Sequence, residues 1–200
     1  MALHGGGIMS VTYATWDPTT KGSAITLSNG NLTAAQTTAA GSVLSTIGLT
    51  TGKWYWEVKL TAGGNPYTAV GVWSGSHSGS NYVGQNSAGW GLITNGTQLA
   101  ISHNGSAVNE GSTPFVINDV IGIALNANTG ATAFYRNNVL IGSATVTTGT
   151  IYAAIGGSGY AVTAVANFGA TTFAYTVPSG YNAGVYTSGM TAQQMALGMF

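Results

Sequence analysis

Gly52-Lys53-Trp54-Tyr55-Trp56-Glu57-Val58-Lys59-Leu60 alternates with period two and contains two of the five tryptophans. In an extended chain, successive side chains point to opposite faces, so Trp54, Trp56, Val58 and Leu60 share one face and Tyr55, Glu57 and Lys59 the other. An apolar face of this size must be covered, and the flanking sequence supplies more strands of the same kind.

Working outward toward the N-terminus, Val43–Ile47 is a short strand. The Ala/Thr stretch 33–42 before it is kept from being a helix by Thr37-Thr38 and Gly41. Ile25–Leu27 leads into the Asn29-Gly30 turn, and Val11–Trp16 is a first strand stopped by Asp17-Pro18. Toward the C-terminus, Gly63-Gly64-Asn65-Pro66 breaks the chain before the strand Tyr67–Trp73. Residues 74–89 form a Ser/Gly/Asn loop long enough to suggest a function. Trp90–Thr94 and Gln98–Ser102 pair across Asn95-Gly96, and His103–Ser106 turns the chain again. Val120–Asn126 and Ala131–Arg136 flank a turn, and Asn137-Asn138 makes a two-residue hairpin turn into Val139–Ser143, since Asn tolerates positive φ. Ile151–Ile155 and Val162–Phe168 follow, and Phe173–Val177 precedes Pro178–Tyr181. Ten to twelve short strands without a long helix between them predict an all-β antiparallel sandwich. Residues 1–10 read as a flexible N-terminal arm, 11–183 as the sandwich domain and 184–200 as a C-terminal tail. Within that tail Met190–Phe200 is a short docking helix capped by Ser188 or Thr191.

The 200 residues hold four basic and four acidic side chains, no cysteine and a net charge of zero. An ordinary domain is about a quarter charged. Lys21, Lys53, Lys59 and Arg136 are scattered, which speaks against nucleic acid as a partner. Near-zero charge favours association, so the chain is expected in an assembly as a homo-oligomer. The start lacks a basic n-region and an apolar h-region, so no signal peptide is expected, and no apolar run reaches the length of about 18 residues that spans a bilayer.

In this order, several segments resemble those of the SPRY domain, the core of the B30.2 family. They are Gly52–Val58, Ala69–Trp73, Asp119–Leu125, Asn128–Asn137, Val165–Phe173 and Pro178–Tyr181. The resemblance covers residues 11–183 and implies a jelly-roll, concanavalin-like sandwich. It also implies a non-catalytic module that recognises a protein or peptide with loops at one edge. Trp54, Trp56, Phe134 and Phe168 are then core, and Glu57 resembles a common family strand residue, the blander alternative being an outward polar position paired with a lysine. Asn138 stands where the family usually has Gly, and Asn126 where it often has Asp. The charge-poor, Gly/Thr/Ser/Asn-rich composition is similar to that of structural proteins of tailed bacteriophages.

Chemistry has little to stand on. A glycosidase needs two carboxylates at defined separation, yet Glu57 is flanked at alternate positions by Tyr55 and Lys59, Glu110 lies in a loop, Asp17 in a turn and Asp119 at a strand start. His77 occupies the centre of Gly-Ser-His-Ser-Gly where a nucleophile elbow would need Ser, and the histidines lack metal spacing. The expectation is therefore no catalytic residue, no cofactor and no metal. The favoured reading is a virion-surface binding protein, a capsid decoration or accessory subunit, packing against copies of itself or a scaffold through Met195, Leu197, Met199 and Phe200. The alternative is a receptor- or glycan-binding module using Tyr67, His77, Asn81 and Tyr82.

Overall fold

The computed structural model of the chain describes residues 9–63, 67–94, 96–111 and 113–190. Most of the N-terminal arm, the break at 64–66, Asn95 and the tail from 191 onward lie outside the described residues. The expected helix and the contacts assigned to Met195, Leu197, Met199 and Phe200 fall in that tail.

Sixteen strands form among the described residues, more than the ten to twelve expected, and no helix does. In order they are β1 (Met9–Tyr13), β2 (Ile25–Ser28), β3 (Thr33–Gln36), β4 (Gly41–Leu49), β5 (Lys53–Gly63) and β6 (Thr68–Ser74). Then come β7 (Gly89–Thr94), β8 (Leu99–His103), β9 (Ser106–Gly111), β10 (Val120–Asn126) and β11 (Ala131–Arg136). The last are β12 (Val139–Thr145), β13 (Ile151–Gly157), β14 (Val162–Asn167), β15 (Asn182–Ala183) and β16 (Tyr186–Met190). One sheet runs β12-β11-β10-β5-β14-β3-β2, the other β4-β13-β6-β7-β8-β9. β5 is central to the first, paired with β10 and β14, and with β15 alongside Trp54 and Tyr55. β1 and β16 pair with each other as a separate two-stranded ribbon. Residues 186–190, expected in the tail, are thus a strand. Glu110 belongs to β9 rather than to a loop, and Phe173–Val177 is irregular.

The core is built as the alternation requires. Trp56, Val58 and Leu60 of β5 face inward with Ile121 and Ile123 of β10, against Val70, Val72, Leu92 and Ile155 of the other sheet. Trp16 packs edge-on against Phe168, ring centroids 5.0 Å apart. Trp54 is partly buried at the margin of this core. The indole Nε1 groups of Trp16, Trp56 and Trp90 are buried without an acceptor. Each unmade bond costs about 1–3 kcal/mol. A buried indole of roughly 200 Å² gains about 5 kcal/mol at 25 cal/mol per Å², so ring packing wins.

Period two fails where the outer faces are covered. On the β4–β9 sheet, Ala69, Trp73, Ile93, Ala100, Leu44 and Ala154 form a second apolar cluster closed by Val83 of the 75–88 loop. Gly91 leaves the room: a Cβ there would sit 3.0 Å from the Val83 side chain. On the other sheet the irregular segment after β14 lies over Tyr55 and Glu57. Glu57 is therefore not an outward residue paired with lysine. It is 3% exposed and accepts from the Tyr55 hydroxyl and the backbone N–H groups of Ala174 and Tyr175, at 2.8–3.0 Å.

Candidate functional site: the loop end of the sandwich

The strand registers place six connections at one end of the molecule, with described residues 37–40, 67, 96–98, 113–119, 137–138 and 158–161. Among the described residues, eight large apolar side chains are exposed, and six of them are at this end: Tyr67, Val116, Ile117, Val139, Leu140 and Tyr160. Exposed apolar side chains scattered singly need no explanation, whereas a concentration on loops marks a contact surface.

The aliphatic part of that surface is held rigid from below. Asp119, 2% exposed, pairs with the Arg136 guanidinium at 2.6 Å. Its carboxylate also accepts from the Val116 backbone N–H and from Asn137 Nδ2, both at 2.7 Å. Asn137 Oδ1 accepts from the Val120 N–H at 2.9 Å, and Arg136 donates to both oxygens of Thr113. This network ties the 113–119 loop, which carries Val116 and Ile117, to the β11–β12 turn, which leads into Val139 and Leu140. A buried ion pair is worth keeping only when its remaining hydrogen-bonding groups are satisfied, as they are here. Sequence reading missed these four residues. The available signal was Val139-Leu140-Ile141, three apolar residues in a row after a turn, with Val116-Ile117 before Asn118.

Farther down, β12 faces β8 and β9 across a groove of about 300 Å³. Its floor is Trp90 stacked on His103, centroids 3.5 Å apart and planes within 9°, with Val108 at its rim. Both β9 and β12 are outer strands of their sheets on this side.

The loop residues singled out from the sequence divide into two groups. His77 Nε2 lies 2.9 Å from Ser42 Oγ, which donates to the Asn81 carbonyl at 2.6 Å, and the imidazole meets Trp73 edge-on at 4.7 Å. Burial lowers the His77 pKa. The Ser–His contact is no nucleophile pair in this arrangement, because Ser42 is fully buried and its proton is committed to a backbone oxygen. Tyr82 packs on the second apolar cluster and is held by Gln85. These three residues therefore clamp the loop to its sheet. Tyr67 lies apart from them, at the loop end. Its φ is +67°, a conformation that costs a bulky residue about 1–3 kcal/mol. The strain is held by Tyr67 N–H donating to Thr94 O at 2.6 Å and by Ser158 N–H donating to Tyr67 O at 3.1 Å. Gly157 lacks a Cβ that would otherwise press on that carbonyl.

The SPRY domain family model matches residues 53–171. Among solved structures, the TRIM65 PSpry domain superposes with a TM-score of 0.64 at 18% identity, over 78% of this chain and 92% of that one. The SPRY domain of human HERC1 gives 0.62 at 19% identity, over 76% and 96%. Stonustoxin gives 0.60 at 21% identity, over 78% of this chain and 27% of its own. At these identities the structural likeness is one of fold. No curated protein sequence matches the chain. SPRY domains are in general non-catalytic protein-interaction modules. The family match spans more than half of the residues, and the two antiparallel sheets with their loop-borne surface agree with it: the chain belongs to the SPRY domain family.

Proposed function

We propose that this SPRY domain is a non-catalytic binding subunit of a virion surface, a capsid decoration or accessory protein that packs against copies of itself or a scaffold. The observation that carries the contact surface is the exposure of Val116, Ile117, Val139 and Leu140, on a loop and a strand start joined by the Asp119–Arg136–Asn137 network. Uncharged side chains suit such packing, since no ion has to be desolvated when the surface is covered. The virion setting draws its support from composition: eight charged side chains in 200 residues, with polarity carried by Thr, Ser, Asn and Gly. A second reading, recognition of a receptor or glycan, keeps Tyr67 alone of its four loop residues as an exposed ring.

The test combines particle co-purification with sedimentation velocity. The wild type is expected to associate and to accompany particles at fixed stoichiometry. Val139→Asp with Leu140→Asp, both at exposed positions, is expected to weaken association at least about tenfold without lowering Tm. A wild type that stays monomeric at high concentration and is absent from particles overturns the reading.

A further inference from the structure

All ten tyrosines lie among the described residues, and only Tyr67 and Tyr160 stand exposed, at 45% and 47%. They are neighbours. Their ring centroids are 6.4 Å apart and their planes tilted by 33°. One ring is presented by a backbone held at positive φ against its own preference, the other by the turn between β13 and β14. Strain retained to expose an aromatic ring points to use of that ring. β14, which follows Tyr160, lies four strand spacings, roughly 19 Å, from β12. The adjoining described residues 36–40, 94, 96–98 and 157–161 include no charged residue and are Gly, Ala, Ser, Thr and Gln besides Tyr160.

We infer that Tyr67 and Tyr160 form a stacking platform for a neutral oligosaccharide, independent of the protein contact at β12. A sugar presents polarised C–H bonds on one face, which are attracted to the electron-rich face of an aromatic ring. Its hydroxyls then need donors and acceptors without charge, which hydroxyl, amide and backbone groups supply. An anionic glycan would need a cation, and these segments contain none. A protein hot spot would instead seat its anchor in a closed pocket ringed by apolar contacts. Four of the exposed aliphatic side chains are carried instead by the 113–119 loop and β12.

The experiment is calorimetric and NMR titration of the full chain with cello-, malto-, xylo-, manno- and chito-hexaoses and with a sialylated oligosaccharide. Saturable binding of at least one neutral member is expected. Tyr67→Gly and Tyr160→Ala should each weaken it about tenfold or more. Tyr67→Phe and Tyr160→Phe should stay within about threefold, because the ring face remains. Tyr67→Gly also relieves the positive φ, so it should melt no lower than wild type, which separates loss of the ring from loss of fold. The inference is overturned if no neutral hexaose binds, if only the sialylated sugar binds, or if binding survives both ring deletions. Equal loss in the phenylalanine variants would overturn it too, since the hydroxyls rather than the ring faces would then be the contact.

Discussion

Glu57 shows how one side chain changes meaning with its surroundings. Its two oxygens receive three donors, two of them from the backbone of the segment that covers β5. Burial and the nearby Glu57 charge raise the Tyr55 phenol far above its ordinary value near 10, so it stays a donor. Glu57→Gln replaces one acceptor oxygen by an amide NH2, a donor, that faces the Ala174 or Tyr175 N–H. The expected outcome is a loss of about 1–3 kcal/mol in denaturant melts, with faster proteolysis between residues 168 and 185. Unchanged stability and cleavage would show that the carboxylate does not hold this segment.

At the scale of elements, turn and loop chemistry sort out residues that look alike. Asn137 and Asn138 both have positive φ, 50° and 67°. Only Asn137 has its side chain bonded into the neighbouring network, through Val120 and Asp119. Asn138→Gly is therefore expected to stabilise by a few tenths to about 1 kcal/mol. Asn137→Gly should destabilise by about 1–3 kcal/mol, because it leaves the Val120 N–H and part of the Asp119 carboxylate unpaired. Paired chemical melts decide between them. The 75–88 loop carries the pH dependence. His77 has a lowered pKa through burial, so the folded state resists its protonation while the unfolded chain takes up the proton near pH 6.5. The stability linked to His77 is present above that value and is lost as pH falls through and below it. Wild-type Tm should drop between pH 7 and 5 more than that of His77→Gln, and equal slopes would remove His77 as the cause.

Over the whole molecule, an almost ion-free exterior meets a cluster of exposed apolar side chains at one end. Association through such a surface should depend little on salt, since screening acts on charges. Sedimentation of wild type between 0.05 and 0.5 M NaCl (roughly 14 to 4 Å of Debye length) is expected to give dissociation constants within about twofold. A fall of tenfold or more over that range would mean that ion pairs carry the contact.

The sandwich class, most of the strands and the inward set Trp56, Val58 and Leu60 were determined by the sequence alone, because period two and turn residues act over a few neighbours. The Asn137-Asn138 turn was legible for the same reason. What only tertiary structure decided was which outward faces are outward. Glu57 lies beneath a segment 117 residues away and Trp73 beneath the loop that follows it, and His77 is held against Ser42, 35 residues away. The joining of the 113–119 loop to the Asn137-Asn138 turn, and the meeting of Tyr67 with Tyr160, were equally hidden. Alternation says that a side chain points away from the core, but only the packed chain says whether water or another part of the molecule meets it there.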